Sequence, residues 1–178
     1  MSVDEVVQAV CTLGHRYVVL TGGEPMLFAE LVPLCDALHQ LGKHITVETA
    51  GTLLLPLECD LMSVSPKLAN STPQDASNRW LKRHETSRHV PHVIRYLVSR
   101  YAYQMKFVVG EPEDGEEVLA YLESFPEIDR ERVMLMPEGV KLSRLEAVET
   151  WLRPFCQQHD LIYCPRRHIE WYGSVRGT

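Results

Sequence analysis

Hydrophobic and polar positions follow two rhythms along this chain. Val3, Val6, Val7, Val10 and Cys11 recur at helical spacing, and Ser2 with Glu5 three residues on supplies both halves of a capping box. Residues 17–21 then form a short β-branched run, the pattern of a buried strand. Leu31, Leu34, Cys35 and Leu38 mark a helix over 28–41 that Gly42 stops. Strands follow at 44–49 and 59–65, and again at 105–109 and 133–136. A helix over 114–124 and another over 143–159, capped by Ser143, lie between and after the last two. Strand and helix alternate through short connections, which predicts an α/β fold with a mainly parallel sheet of about five strands and helices outside. Right-handed crossovers would bring the carboxyl ends of the strands to one rim, where such sheets hold small ligands.

The strand ends carry unusual polar content: Thr21-Gly22-Gly23-Glu24-Pro25, Glu48 to Thr52, Ser65-Pro66-Lys67 and Met136 to Gly139. The glycine pair lets the backbone turn and approach a ligand, and Pro25 is preset for a first helical turn. Ser65 beside Lys67 pairs a hydroxyl with a flexible ammonium, suited to a ribose or a carboxylate. Gln104 precedes the 105–109 strand and points an amide toward the same rim. Each feature has an ordinary reading as well. A glycine pair is a common strand-to-helix turn, Lys67 taken alone is a solvated loop lysine, and Glu48 is a carboxylate satisfied by loop amides.

With 178 residues, 45% of them hydrophobic, the chain has enough apolar surface for one well-cored domain. A net charge of −6 argues against nucleic acid as a partner held by the overall field, and no apolar run is long enough to span a membrane. The basic stretch within 79–106 holds Arg79, Lys82, Arg83, Arg88, Arg95, Arg100 and Lys106 against the single acid Glu85. It reads as an insertion or extended crossover over 70–103 with a solvated basic face, ahead of a docking surface for an acidic partner. Five scattered cysteines, Cys11, Cys35, Cys59, Cys156 and Cys164, suit reduced, buried thiols and lack the spacing of a metal knuckle.

The ordered set formed by Thr21-Gly22-Gly23-Glu24-Pro25, Val47-Glu48-Thr49-Ala50-Gly51-Thr52, Ser65-Pro66-Lys67 and Leu135-Met136-Pro137-Glu138-Gly139 resembles radical S-adenosylmethionine enzymes. Within them it is most similar to the 7-carboxy-7-deazaguanine synthase family, and the tail Tyr163-Cys164-Pro165-Arg166-Arg167-His168-Ile169-Glu170-Trp171-Tyr172-Gly173, closing on Arg176-Gly177-Thr178, carries that likeness to the end. The resemblance implies a single truncated domain over 1–178 with a partial, open βα barrel. It implies a carbon–nitrogen lyase reaction that converts 6-carboxy-5,6,7,8-tetrahydropterin to 7-carboxy-7-deazaguanine and ammonia in queuosine and 7-deazapurine biosynthesis. Its cofactors would be S-adenosylmethionine, a 4Fe–4S cluster and Mg2+, with flavodoxin or ferredoxin as electron donor, in a cytoplasmic homodimer. By the same resemblance Gly22, Gly23 and Glu24 hold the methionine amino group. Ser65, Pro66 and Lys67 face the ribose or the methionine carboxylate, supported by Gln104. Thr21 and Glu48 face the pterin or the ribose, and His168 and the terminal carboxylate of Thr178 close over the substrate. For His168 the competing reading is a ring packed beside Trp171.

One departure stands out. The family binds its cluster through Cys-x3-Cys-x2-Cys ahead of the Gly-Gly-Glu-Pro strand, and here only Cys11 precedes it. The magnesium ligand and first strand that accompany that motif are missing with it, so the strand at 17–21 is expected to present an unpaired edge. Two explanations compete: a piece of a longer enzyme that begins at an internal methionine, or a cluster-free relative that binds a nucleoside or a partner. A third reading, an activase-like radical enzyme, fits the Ser-Pro-Lys strand and the tail less well.

Overall fold

Ser2 opens the first helix as the sequence predicts. Its Oγ accepts the Glu5 amide at 3.2 Å while Glu5 Oε2 accepts the Ser2 amide at 2.7 Å, which caps α1 (Val3–Leu13). The structure, a computed structural model, describes residues 1–72 and 89–173. Six strands follow one another in chain order in one sheet: β1 (Tyr17–Leu20), β2 (His44–Thr49), β3 (Leu61–Val64), β4 (Tyr103–Val109), β5 (Val133–Pro137) and β6 (Ile162–Tyr163). The α/β class and the mainly parallel sheet agree with the sequence, with one strand more than expected.

The chain divides into two compact units, the first comprising Met1–Ser65 and Val90–Gln104, the second Pro66–His89 and Met105–Thr178. In the first, β1 pairs in parallel with β2 and β2 with β3. Strand β2 alternates strictly: Ile45, Val47 and Thr49 are buried while His44, Thr46 and Glu48 are half-buried. That period of two marks a sheet covered by helices on one face only. The helix-covered side joins Cys35 and Leu38 of α2 (Leu31–Gln40) and Val93, Ile94 and Leu97 of α3 (Pro91–Arg100) to Met62 and Val64. Each of these fully buried side chains contributes about 1.5–3 kcal/mol relative to exposure.

In the second unit β4 pairs with β5 and β5 with β6, all parallel. Helix α4 (Pro112–Glu123) packs on α5 (Leu142–Gln158), which covers β5 and β6. The core there is built from Phe107, Val118, Leu122, Phe125, Leu135, Val148 and Leu152. A short α6 (Arg167–Tyr172) follows β6 and buries Ile169.

Two expectations need correction. The helix expected from Phe28 begins at Leu31, because Pro25–Leu27 forms a separate 3-10 turn that Phe28 closes. Ser143 is not a cap: α5 starts one residue earlier, after Lys141, and lacks a side-chain cap. Residues 91–100 of the basic stretch form α3 and Lys106 belongs to β4. Arg79, Lys82, Arg83, Arg88 and Thr178 lie outside the described residues.

Gly51 shows how tightly the turn after β2 is set. Its φ is +74°, and an added Cβ would stand 2.5 Å from Ile94 Cδ1 and 2.9 Å from Val64 Cγ1. Gly51→Ala therefore meets both the left-handed backbone penalty and overpacking, and should lower unfolding free energy by about 2–4 kcal/mol in denaturant titration.

Candidate functional site

The residues after β1 are anchored by a carboxylate. Glu24 caps the 3-10 turn by accepting the Met26 amide at 3.1 Å on Oε1. The same carboxylate reaches the end of β2, where Thr49 Oγ1 lies 2.8 Å from Oε1 and 3.0 Å from Oε2, and the Ala50 amide donates to Oε2 at 2.8 Å. An ionised carboxylate accepts at about four positions. Three donors make four contacts, two on each oxygen, so the carboxylate is held from both sides. The Ser65 amide donates to the Thr49 carbonyl at 2.7 Å, so the end of β3 adjoins the same point.

Gly22 and Gly23 complete this corner. No atom lies within 4 Å of where a Cβ would stand on either, so their backbone presents an open face. A cavity of about 380 Å³ opens beside them, lined by Val3, Val6, Gly22, Gly23, Glu24 and Phe28 among others.

On the half-exposed face of the sheet, polar side chains line up across neighbouring strands. Thr21 Oγ1 donates to Glu48 Oε2 at 3.1 Å. Glu48 stands opposite Ser63 in the β2–β3 register, and Gln104 Nε2 donates to Ser63 Oγ at 3.0 Å. Thus Thr21, Glu48, Ser63 and Gln104 form one polar row, in which Ser63 is 1% exposed. Glu48 meets a hydroxyl there rather than only loop amides, and Gln104 sits near the start of β4 rather than at its carboxyl end.

Pro66, Lys67 and His168 belong to the second unit. Pro66 is buried and Lys67 exposed. The turn that follows them is fastened to α4: Asn70 Nδ2 donates to Asp114 Oδ2 at 2.9 Å and to the Val108 carbonyl at 3.1 Å, and the Ala69 amide donates to Glu117. Two arginines fasten the loops that follow β4 and β5. Arg144 Nη2 donates to Glu111 at 2.8 Å and to the Gly110 carbonyl at 3.2 Å, and Arg166 Nη1 donates to the Gly139 carbonyl at 2.6 Å. Arg166 Nε is buried without a hydrogen-bond partner among the described residues. His168 is exposed on α6, and the ring contact recorded for Trp171 is with Tyr172.

Sequence reading passed over Thr49, Ser63, Arg144 and Arg166. Thr49 and Arg166 sit inside the quoted motifs and Ser63 inside the strand expected at 59–65, but the role of each depends on partners that only the fold brings near. Arg144 gave no signal, because its partners are a carbonyl and carboxylates distant in sequence.

Cys35 and Cys156 are core groups, Cys59 and Cys164 are half-buried and Cys11 is exposed. Burial pushes the Cys35 and Cys156 thiols up to about 11 and Cys59 to about 12, and it raises Cys164 although Lys106 pulls the other way. Among the described residues, no group of three His, Cys, Asp or Glu is arranged to hold a metal. No helix among them is long and apolar enough to cross a membrane.

A parallel sheet with helices packed on it, a glycine-lined corner after β1 and a polar row across neighbouring strands make this a βα-type fold. No family model matches the sequence. The chain is 37% identical to 7-carboxy-7-deazaguanine synthase of Rhodopirellula baltica, over 99% of this chain and 69% of that protein. It is 39% identical to the synthase of Halobacterium salinarum, over 100% of this chain and 74% of that one. The crystal structure of QueE from Escherichia coli superposes with a TM-score of 0.62 at 23% identity, covering 93% of this chain and 64% of that one. The chain belongs to the 7-carboxy-7-deazaguanine synthase family.

Two outcomes are expected from the thiols. Labelling of the native protein at neutral pH should modify exposed Cys11 at once, and Cys35 and Cys156 only after unfolding. Because their folded values lie above the ordinary 9.0, the buried thiols favour the protonated form in the native state. Their contribution to stability is whole below about pH 9 and is lost as pH rises toward about 11, which alkaline denaturation curves would read.

Proposed function

We propose that this chain carries the S-adenosylmethionine-facing and pterin-facing surfaces of a 7-carboxy-7-deazaguanine synthase. The family reaction turns 6-carboxy-5,6,7,8-tetrahydropterin into 7-carboxy-7-deazaguanine and ammonia. The observation that carries the reading is the corner at Gly22, Gly23 and Glu24, where an open backbone face adjoins a carboxylate fixed by Met26, Thr49 and Ala50. An ammonium-bearing ligand fits that corner: carbonyl and carboxylate oxygens accept its hydrogens, and the absent Cβ atoms let it come close. On this reading Ser65 meets the ribose or carboxylate of the same ligand, supported by Gln104, while Thr21 and Glu48 face the pterin or the ribose.

S-adenosylmethionine supplies radical chemistry when a 4Fe–4S cluster reduces it. These residues do not fit that cluster. It needs three neighbouring thiolates, whereas the five cysteines are scattered along the sequence and no group of three metal-binding side chains forms among the described residues. The described residues likewise offer no carboxylate cage for Mg2+. What this chain contributes is binding and orientation: the Glu24 corner fixes an amino group, and the Thr21–Glu48 pair presents a carboxylate to a nitrogen heterocycle.

Isothermal calorimetry with S-adenosylhomocysteine tests the reading. Saturable binding is expected, weakened about tenfold or more by Glu24→Ala, which removes an acceptor and the loop anchor together. Failure to bind, combined with a strongly salt-dependent affinity for RNA, would favour a cluster-free partner-binding module instead. A second outcome concerns the cluster: anaerobic reconstitution of these 178 residues with iron and sulfide should yield no 4Fe–4S absorption band and no cleavage of S-adenosylmethionine.

A further inference from the structure

The hydroxyl of Thr49 has a fixed polarity. The Gly51 amide donates to Thr49 Oγ1 at 3.0 Å, and an amide nitrogen of the backbone can only donate. Glu24, when ionised, can only accept. The single hydroxyl hydrogen must therefore point from Thr49 to Glu24, shared between the two carboxylate oxygens at 2.8 and 3.0 Å. Thr49 is 3% exposed, so water does not compete for this hydrogen.

The segment this bond controls has little else to hold it. Gly22 and Gly23 are exposed, and nothing stands within 4 Å of either missing Cβ. Side-chain packing cannot set their course. Their position follows from β1 on one side and from Glu24 on the other, and Glu24 is fixed from β2 by Thr49 and Ala50.

We propose that Thr49 is a positioning residue for the ligand amino group: its hydroxyl fixes the Glu24 carboxylate, and with it the course of the open Gly22-Gly23 backbone that precedes it. The proposal rests on the reading that this corner binds an amine-bearing nucleoside such as S-adenosylmethionine. Thr49 itself would touch no ligand, because its hydrogen-bonding capacity toward the corner is spent on Glu24.

A double-mutant cycle on the full chain separates this role from a merely structural one, with S-adenosylhomocysteine as the probe in calorimetry and thermal unfolding run alongside. Thr49→Val keeps the shape and removes the hydroxyl, and is expected to weaken binding about tenfold. Thr49→Ser restores the hydroxyl and should bind within about threefold of the unsubstituted chain. In a Glu24→Gln background the Val substitution should change affinity less than about twofold, since the group it acts through is already altered. Val binding as tightly as Thr overturns the proposal, and so does a tenfold loss that persists in full alongside Glu24→Gln. If Thr49→Val unfolds, Thr49→Ser and Thr49→Ala in both backgrounds carry the same comparison. An unsubstituted chain that ignores the probe sinks the nucleoside reading itself, which is a different result from indifference to Thr49.

Discussion

One carboxylate holds the corner of the molecule where chemistry is concentrated. Glu24 caps its own 3-10 turn and receives hydrogen bonds from Thr49 and Ala50, 25 and 26 residues further along. Charge-assisted bonds of this kind are about twice as strong as neutral ones, and here they do what packing elsewhere does. The glycine pair ahead of Glu24 has no side chains to wedge against neighbours, so an apolar anchor was not available to that loop. Breaking it would free a half-buried carboxylate and loosen two strand ends together.

The one-sided covering of the sheet gives that anchor its meaning. With helices on one face, residues of alternate parity divide between core and open face, and β2 shows the division cleanly. Thr49 falls on the buried side and meets Glu24, while its neighbour Glu48 falls on the open side and meets Thr21. Two adjacent residues thus serve two different jobs. A slip of one residue in the β1–β2 or β2–β3 register would exchange them, burying Glu48 without its hydroxyl partner and exposing Thr49. The buried pairs Ile45, Val47, Met62 and Val64 make such a slip costly, so the hydrophobic pattern also guards the polar row.

Much of this was legible in the chain itself. The capping box at Ser2 and Glu5, the strand at 17–20 and the turn at Gly22 to Pro25 depend on local rules, and the local rules held. Length defeated the reading at β6, because Ile162–Tyr163 is too short to show any period. Ser143 looked like a cap by type, yet the helix begins before it and its hydroxyl is not needed there. The harder omissions were Thr49 and Ser63. Both are small hydroxyl residues in apolar strands, where the sequence says only that a polar atom will need a partner. Which partner it finds depends on the register with strands that lie 25 to 41 residues away.

The thiols and the anchor together separate two functions that the family joins. A 4Fe–4S cluster would organise its surroundings through metal–sulfur bonds, and a site built that way is loose without its metal. The Gly22–Glu24 corner is built otherwise: every bond that shapes it runs between protein atoms, from Met26, Thr49 and Ala50 to one carboxylate. The cavity beside that corner is lined by no cysteine among the described residues, so its shape does not depend on a thiolate. A ligand that used the corner would meet a site whose ordering cost was met when the sheet folded.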